Sequence, residues 1–479
     1  MGIAGSGASA IASIAQAQGY IVSGCDRVPP LNDFTKHFDQ SLLFEGHSEE
    51  HLYLANQRVS EIASRNNTIN STNDSPVRRS ANSLIDILAI SPAISSLDPD
   101  NIELKTAKEQ GIEVMTWQEF MGKYLEKDKF VIAISGTHGK STTTAMVAHI
   151  LEEAGLDPTV EIGAVVGKWG RNYRVSESAS RRISESEKQN ALASSPVSKS
   201  ADSLRKPIFV TEADEFNENF LVSHPDITVL NNLDMDHPEY YKDFEAYVDA
   251  FDKFLMQTKG TIVANLEDKN VAELLKWTMK HTGVTCIDFN KNEINLDLKV
   301  PGEHNKKNAL AAFQVGLLLG IEPQVIISAL NSFSGIQRRQ ELLGEVNGAK
   351  VYTDYAVHPV EIEVTTNAIK EANPGKNICV IFQPHMFSRT KGLFKEFVET
   401  FKNLEIGGAF ITDIFQSREK DPGDMNSQML VDAIGKQTVK YMPTVKDAIS
   451  TAEQYLSEKD VVIFYGAGDI DKMAREWTK

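Results

Sequence analysis

The stretch VIAISGTHGKSTTT, residues 131–144, decides the fold of the central part of the chain. An apolar, β-branched run leads into glycines at positions 136 and 139, and a pattern with helical spacing follows, so strand, tight turn and helix are predicted in that order. Glycine allows backbone N–H groups to face an anion, a helix N-terminus favours negative charge, and Lys140 adds a positive charge. The stretch therefore predicts a loop that binds nucleotide phosphates, with the Ser141 hydroxyl placed for a magnesium ion.

This loop does not match the general P-loop pattern, which has a glycine where the chain has Ile134. An ordinary strand-to-helix turn of an α/β domain is therefore an alternative interpretation. The agreement of both the loop and its flanking segments favours phosphate binding.

Length and composition indicate a multidomain globular protein. A chain of 479 residues is too long for one hydrophobic core and suits about three domains of about 150 residues each. Its 41% hydrophobic and 24% charged residues are ordinary for a soluble protein. A formal net charge of −17 argues against nucleic-acid binding, because phosphate backbones are bound by surplus Lys and Arg.

The cysteines indicate neither a disulfide framework nor a zinc site. Cys25, Cys286 and Cys379 are far apart and lack CxxC spacing. The sequence contains no apolar run of the roughly 18 residues that span a membrane, and its N-terminus lacks a basic region followed by an apolar one. These features predict a cytoplasmic protein with no membrane partner.

The first part, residues 1–124, opens with a glycine turn, a small-residue helix ending near Gly19 and a short strand ending at Asp26. This order resembles the first turn of a dinucleotide-binding fold, but the spacing is G-x-x-G-x-G, and a tight turn without a ligand is an equal alternative. A strand should precede the turn, yet only Met1 stands before Gly2. We therefore expect either that the gene encodes an apolar strand upstream of Met1 or that this strand was trimmed from the chain. An upstream reading frame that encodes no apolar strand would contradict this expectation.

Two segments, about 64–83 and about 175–206, are rich in Ser, Asn and charge and have no apolar period. They are predicted to be surface insertions with little regular structure. Phosphorylation or docking is the alternative, but a tolerated loop expansion is the simpler interpretation.

The second part, residues 125–332, places acidic side chains directly after two further apolar strands. Glu212 and Asp214 follow one strand, and Asp236 and His237 follow the other. Ligands of open α/β sheets collect beyond the carboxyl ends of strands, and hard cations prefer oxygen ligands. Any single acid there is more often a solvated residue, but two such strand ends beside a phosphate loop predict a magnesium site.

The third part, residues 333–479, repeats strand then helix three times and ends with a fourth strand, which predicts a parallel sheet with right-handed crossovers. Several polar residues lie at or just beyond its strand ends, facing the expected cleft: Asp354, His358, His385, Arg389, Asp413 and Asp469. Such residues are often structural or solvated, so the clustering alone is only suggestive.

Eight segments in order carry a family resemblance: GTHGKSTTT, TEADE, NNLDMDHPEYY, PGEHNKKNALAA, GIQRR, TDYAVHPVEI, FQPHMFSRT and YGAGDI. They closely resemble the Mur ligases over nearly the whole chain outside the two insertions, and the third-part segments point to the alanine-adding branch. The resemblance implies an α/β protein of three domains. These would be a Rossmann-like N-terminal domain for a UDP-sugar, a central P-loop ATPase-like domain for ATP, and a C-terminal Rossmann-like domain with a parallel sheet for an amino acid.

The reaction that the resemblance implies is amide formation in peptidoglycan precursor synthesis. ATP would phosphorylate the lactyl carboxylate of UDP-N-acetylmuramate, and the amine of L-alanine or another amino acid would displace phosphate from the acyl phosphate. Such chemistry depends on positioning and charge neutralisation more than on a protein nucleophile. The expected ligands are ATP, two Mg²⁺ ions and small-molecule substrates, with no nucleic acid, and the expected state is a monomer or weak dimer.

Site residues are carried over by matching motifs. Lys140, Glu212, His237 and Arg338 are the implied catalytic residues, and Ser141, Glu212 and His237 the implied metal ligands. The implied ATP-binding residues are Gly136, Thr137, His138, Gly139, Lys140, Ser141, Thr142, Asn232, His304, Asn305, Asn308, Arg338 and Asp354. The implied substrate-binding residues are Gly5, Ser6, Gly7, Asp26, Ser91, Tyr355, His358, His385 and Arg389. No definite role follows for Asp214, Glu215 or Asp236.

Two departures from the family pattern fall in the expected amino-acid pocket. The family has DYGHHP and FQPHRYSRT, whereas this chain has Val357 in place of the first histidine and Met386 in place of the first arginine. Retention of Arg389 would keep a two-point contact for a carboxylate. The changes predict an altered amino-acid preference, which kinetics favouring L-alanine would contradict.

Two other functions remain open. GIQRRQEL resembles the branch that attaches a recycled murein peptide to the same sugar, although FQPHMFSRT argues against it. A catalytically inactive nucleotide-sugar-binding relative is the third interpretation, and the joint retention of Lys140, Glu212, His237 and Arg338 argues against that.

Overall fold

The computed structural model describes residues 1–29, 32, 34–65, 85–92, 94, 98–177, 206–417, 419–457 and 460–479. Most of the two predicted insertions, 64–83 and 175–206, lies outside these ranges, and helix α2 reaches the first two residues of the former. The described residues form α/β structure with mainly parallel sheets, as predicted. No helix among them is both long and apolar enough to cross a lipid bilayer.

The first part contains two ladders of two parallel strands. The strands are β1 (Gly24–Asp26) paired with β2 (Leu43–Glu45), and β3 (Ile87–Ile90) paired with β4 (Glu113–Thr116). The helices are α1 (Ser6–Ala17), α2 (Glu49–Arg65), α3 (Ile102–Glu109) and α4 (Trp117–Phe120). The predicted turn, helix and strand are therefore present, with β1 ending at Asp26.

Residues 1–3 lie between these two ladders and hydrogen bond to both. The Met1 ammonium donates to the carbonyl of Ala89 at 2.8 Å, and the Gly2 N–H donates to the carbonyl of Cys25 at 2.8 Å. The first residues thus connect β1 to β3 through main-chain contacts. An upstream strand stays a prediction.

The second part is built on a seven-stranded sheet in the order β11-β10-β9-β5-β8-β6-β7. The strands are β5 (Phe130–Ser135), β6 (Thr159–Val166), β7 (Arg171–Arg174), β8 (Ile208–Glu212), β9 (Ile227–Leu230), β10 (Thr261–Ala264) and β11 (Thr285–Asp288). The helices are α5 (Lys140–Glu153), α6 (Phe244–Leu255), α7 (Lys269–His281), α8 (Glu303–Leu318) and α9 (Pro323–Ser332). Only the β7 pairing within this sheet is antiparallel among the described strands.

The third part is built on a six-stranded sheet in the order β12-β13-β17-β14-β15-β16. The strands are β12 (Glu341–Val346), β13 (Ala349–Asp354), β14 (Asn377–Phe382), β15 (Gly408–Ile411), β16 (Val439–Tyr441) and β17 (Asp460–Tyr465). The helices are α10 (Pro359–Ala372), α11 (Phe387–Gly392), α12 (Phe394–Asn403), α13 (Ser427–Ile434), α14 (Val445–Glu453) and α15 (Ile470–Trp477).

The expectation of an all-parallel third sheet needs one correction. Strand β12 runs antiparallel to β13, because Val346 and Ala349 pair across a two-residue connection that is too short for a crossover. The four predicted strands β13, β14, β15 and β17 are parallel, as expected.

The central sheet places three strand ends side by side. Ile134 of β5 pairs with Glu212 of β8, and Ser135 pairs with Leu230 of β9. All of these strands are fully or largely buried, and α5 and α8 pack over them in one apolar core. The loops that follow β5, β8 and β9 therefore emerge together at one edge of the sheet.

Glu126, just before β5, gives a pH-dependent prediction. The side chain is buried, accepts a hydrogen bond from Ser223 Oγ at 2.8 Å, and burial raises its pKa from 4.5 to about 7. The folded state therefore binds the proton of the Glu126 carboxyl more tightly than the unfolded state does. The contribution of this protonation to the free energy of unfolding is fully present below pH 4.5 and is lost as the pH rises to about 7.

Glu126→Gln is accordingly expected to be more stable than the parent protein by up to about 3 kcal/mol at about pH 8, and to lose that advantage at about pH 4. Urea unfolding at the two pH values measures the difference. Glu109→Gln, at an exposed position, is the control, and an equal pH response in both variants would contradict the prediction.

Candidate active site

Two glycines shape the loop between β5 and α5. Gly136 has φ +123° and Gly139 has φ +81°. A Cβ atom on Gly136 would lie 3.1 Å from the main-chain nitrogens of Asn231 and Asn232, and one on Gly139 would lie 2.4 Å from Asn308 Oδ1. Since L side chains rarely adopt these φ values, the strand, turn and helix predicted for residues 131–144 depend on both glycines.

A cavity of about 320 Å³ lies between this loop, helix α8 and the third part. Nine residues predicted to bind ATP line its wall: His138, Gly139, Ser141, Thr142, Asn232, His304, Asn305, Asn308 and Asp354. Polar lining residues that were not predicted include Asn231, Asp234, Arg339, Gln340 and Glu361. Hydrogen-bonding side chains from both parts therefore surround one enclosed space.

Lys140 lies folded over the phosphate loop. Its ammonium donates to the carbonyls of Gly136 and Thr137 at 2.7 and 3.0 Å and pairs with Glu215 at 2.9 Å. Burial acts to lower the pKa of Lys140, but the Glu215 carboxylate outweighs it and the pKa is raised. Lys140 is thus charged next to the loop, and its partner is Glu215, for which no definite role was predicted.

The predicted metal ligands form two adjacent groups. Ser141 Oγ donates to Glu212 Oε1 at 2.9 Å, and the Gly163 N–H donates to Glu212 Oε2 at 2.8 Å. His237 instead groups with Asp214 and Glu215, with one potential ligand atom of each within 4.8 Å of the others. Hydroxyl and carboxylate oxygens suit Mg²⁺, so the donor set of this region fits the ion, and Asp214 and Glu215 join the predicted ligands.

Arg338 does not reach the cavity. Its guanidinium donates to the carbonyl of Gly466 at 2.7 Å and lies 4.8 Å from the centre of the Tyr355 ring. The backbone at Arg338 is left-handed, with φ +57°. Arg339 lines the cavity instead and lies 3.6 Å from Glu361.

The α8 segment contributes a hydrogen-bonded chain to the opposite wall. Asn305 Nδ2 donates to Gln340 Oε1 at 3.0 Å, and the Gln340 side chain lies 3.1 Å from His304 Nε2. Asp354 accepts from the Gln340 N–H at 2.7 Å, and burial raises its pKa to about 6. The motif PGEHN is thus fixed to the start of the third part.

Three predicted substrate residues already have protein partners at the junction between the parts. Arg389 is buried and pairs with Asp236 at 3.2 Å and with His385 Nδ1 at 2.9 Å. His358 Nε2 lies 3.1 Å from the carbonyl of Met235. These contacts join the second part to the third, which the sequence did not predict.

The altered positions Val357 and Met386 are also buried, with 7% and 4% of their surface exposed. Tyr355, by contrast, is 37% exposed beside Arg338 and Arg339. Apolar side chains at 357 and 386 therefore replace polar ones in packed surroundings.

The residues predicted for the UDP-sugar lie around the end of β1. Gly5 precedes helix α1, which starts at Ser6, and Asp26 Oδ2 accepts from the Ala4 N–H at 2.9 Å. A Cβ atom on Gly7 would lie 2.7 Å from Trp117. Ser91 closes the turn from the other side, since its N–H donates to the carbonyl of Met1 at 3.1 Å.

Comparison with known proteins identifies the family. The Mur ligase middle domain matches residues 134–293, and the Mur ligase glutamate ligase domain matches residues 338–468. The UDP-N-acetylmuramate--L-alanine ligase of Clostridium kluyveri is 37% identical over 414 residues, covering 81% of this chain and 83% of the relative. The chain belongs to the Mur ligase family.

A second relative covers the whole of this Mur ligase. The UDP-N-acetylmuramate--L-alanine ligase of Acetivibrio thermocellus is 32% identical over 509 residues, covering 100% of this chain and 95% of the relative. The first part, which lies outside both domain matches, is therefore included in the similarity.

Solved structures agree with this fold. The UDP-N-acetylmuramate-alanine ligase of Thermotoga maritima aligns with a TM-score of 0.70 at 24% identity, covering 99% of this Mur ligase and 96% of that chain. A murein peptide ligase of Psychrobacter arcticus aligns with a TM-score of 0.62 at 20% identity over 99% and 96% of the two chains. The α/β fold in three domains is thereby confirmed.

Proposed function

We propose that this Mur ligase adds L-alanine to the lactyl carboxylate of UDP-N-acetylmuramate, with ATP converted to ADP and phosphate. One observation carries the proposal: residues of the phosphate loop, helix α8 and the third part line a single enclosed cavity. The relatives in Clostridium kluyveri and Acetivibrio thermocellus, which have this activity in their names, extend over most of the chain. A cytoplasmic location and a monomeric or weakly dimeric state complete the proposal.

The residues at the edge of the central sheet, where the loops after β5, β8 and β9 emerge, suit phosphoryl transfer to a carboxylate. Lys140 supplies a positive charge beside loop N–H groups, where the β and γ phosphates of ATP would lie. Arg339 supplies a second charge from the third part, so we assign to it the role that the family resemblance implied for Arg338. His304, Asn305 and Asn308 on α8 would hold the adenine at the other end of the cavity.

Magnesium would be held by Ser141 and Glu212 in one group and by Asp214, Glu215 and His237 in the other. A bound Mg²⁺ ion neutralises the charge that develops on the transferred phosphoryl group. The chain itself fixes the Glu212 carboxylate through Ser141 and the Gly163 N–H, so that both oxygens point in set directions.

The amine enters at the junction with the third part. Exclusion of water there protects an acyl phosphate from hydrolysis. Arg389 lies at this junction, but its charge is already paired with Asp236. We therefore propose that Arg389 positions the pocket, and that Tyr355, which is more exposed, faces the incoming amino acid.

Phosphate release with ATP, Mg²⁺ and UDP-N-acetylmuramate, scanned over amino acids and short murein peptides, tests the function. The expected result is release that depends on L-alanine, with the amide product identified by mass spectrometry. Preference for glycine, serine or a larger residue would instead support the altered pocket inferred from Val357 and Met386. Release only with peptides, or with none of the substrates, would overturn the proposal.

Glu212→Gln tests the metal site. The amide keeps an oxygen for the Ser141 hydroxyl but removes the charge that attracts a cation, so we expect the Mg²⁺ concentration for half-maximal activity to rise at least about tenfold. Titration of activity against Mg²⁺ measures the change. Glu153→Gln, on the exposed side of α5, is the control and should leave the titration unchanged. A normal Mg²⁺ requirement in Glu212→Gln would remove Glu212 from the ligands.

A further inference from the structure

Four side chains with metal-binding groups meet in the first part, away from the phosphate loop. Cys25 lies on β1, His47 lies before α2, His51 lies within α2, and Glu103 lies on α3. Cys25 is 2% exposed, and the side chains of His47, His51 and Glu103 are 9%, 12% and 4% exposed. The cluster is therefore buried and links three separate elements.

The atoms of the cluster are spaced as ligands of one ion would be. Cys25 Sγ lies 3.2 and 3.3 Å from the two oxygens of Glu103 and 3.5 Å from His47 Nδ1. Glu103 Oε2 lies 3.4 Å from His47 Nδ1 and 3.7 Å from His51 Nδ1. Bonds of about 2.0–2.3 Å to a tetrahedral zinc ion place the ligand atoms about 3.3–3.8 Å apart, and the distances within these four residue pairs lie close to that range.

Hydrogen bonds within the protein do not account for the whole cluster. His51 Nδ1 is buried, and it has no hydrogen-bond partner among the described residues. A buried ring nitrogen without a hydrogen-bond partner destabilises the folded protein. A metal ion between His51, Cys25 and Glu103, whose potential ligand atoms all lie within 4.8 Å of one another, would give it a partner.

The charges of the site also suit a divalent cation. One thiolate and one carboxylate would balance the two charges of Zn²⁺, while the imidazoles bind as neutral ligands. Zinc accepts sulfur, nitrogen and oxygen ligands together, whereas Mg²⁺ prefers oxygen alone.

An ion can reach the cluster from a cavity of about 930 Å³ in the first part. Cys25, His51 and Glu103 all line this cavity, next to Met1 and Phe44. The Phe44 ring stacks on His51 with centroids 5.0 Å apart and fixes the imidazole orientation. The site therefore has an entry path and a supported ligand.

We propose that Cys25, His51 and Glu103, with His47 as the adjacent fourth ligand, form a structural zinc site. It joins β1, α2 and α3 in a part where the described strands form two-stranded ladders, which offer little cross-linking of their own. The ligands come from segments far apart in the sequence, so no CxxC spacing could reveal them. The site stabilises the first part and takes no part in the ligase reaction.

Metal analysis and cobalt spectroscopy of the full chain test the proposal. Protein dialysed against Zn²⁺ in buffer containing Mg²⁺ is expected to retain one zinc per chain, and chelation followed by Zn²⁺ addition should lower and then restore Tm. Co²⁺ in place of zinc should give a thiolate-to-cobalt charge-transfer band. Substoichiometric zinc together with no such band in the parent protein would overturn the site.

Variants separate this site from adventitious binding. Cys25→Ser and Glu103→Gln should lose the cobalt band and the Zn²⁺ response of Tm, whereas Cys286→Ser, which removes another thiol, should keep both. Circular dichroism shows whether each variant folds. If Cys25→Ser does not fold, the zinc content of the parent protein decides whether the site exists. Equal zinc in Cys25→Ser and the parent protein would show adventitious binding and contradict the proposal.

Discussion

Lys140→Ala is expected to lower kcat at least about 10³-fold, because it removes the cation that faces the transferred phosphoryl group. The variant also leaves the Glu215 carboxylate, 1% exposed, without its ammonium partner. Steady-state phosphate release measures kcat. Binding of the UDP-sugar should persist, because Gly5, Ser6 and Asp26 lie in the first part, and calorimetric titration measures it.

Lys276→Ala is the matched control for this variant. Lys276 is 71% exposed on α7 and, within the part of the chain that the structure describes, pairs with the exposed Glu273, so its loss should leave kcat unchanged. Undiminished turnover in Lys140→Ala would refute the assignment of the phosphate loop. Loss of UDP-sugar binding together with turnover would show a folding defect instead, which thermal unfolding identifies.

Arg389→Ala is expected to lower the free energy of unfolding by about 3–5 kcal/mol, because it leaves Asp236 charged and buried without its partner. The pair lies 3.2 Å apart across the junction of the second and third parts, and its charge holds the pKa of Asp236 well below the usual range even though burial acts to raise it. Chemical unfolding of the full chain measures the change.

Lys391→Ala, on the same helix α11, provides the contrast. Lys391 pairs with Asp424 at the surface, where both side chains are more than half exposed, so a loss below about 1 kcal/mol is expected. Replacing both members of the buried pair, Asp236→Leu with Arg389→Met, should recover much of the stability. If the double variant is as unstable as Arg389→Ala, the unpaired charge is not the cause.

The same double variant separates structure from function. If Arg389 only positions the junction, a stable double variant should keep a measurable KM for the amino acid near that of the parent protein. A large rise in KM with normal stability would instead support the direct carboxylate contact inferred from the sequence.

The fold and one wall of the cavity could be predicted because they depend on local patterns. The glycines at 136 and 139 and the apolar run before them define β5, the loop and α5 without reference to distant residues. Strand ends in a parallel sheet collect at one edge, so Glu212 could be placed beside Ser141 and the phosphate loop, whereas the place of the PGEHN segment was implied by the family resemblance. The domain boundaries near 124 and 332 and the ligand roles stay predictions.

The remaining contacts depend on side-chain direction and on packing between parts. Adjacent arginines at 338 and 339 are equivalent in the sequence, and they differ in their contacts in space, Arg338 with the Gly466 carbonyl and Arg339 with Glu361. Glu215 and Asp236 look like solvated strand-end acids until Lys140 and Arg389 approach them in space. The periodicity of apolar residues and the spacing of motifs contain no information on such side-chain pairings.

Glu361 at the start of α10 links the phosphate loop to the third part. It lies 3.4 Å from His138 Nδ1 on the loop and 3.6 Å from Arg339, and these charges lower its pKa although burial acts to raise it. Nucleotide phosphates would compete with this carboxylate for the same cations. A nucleotide that binds one arrangement of the two parts more tightly than another shifts the equilibrium between these arrangements by the difference between the two binding free energies. The orientation of the third part and the affinity for nucleotide are therefore two measures of one equilibrium.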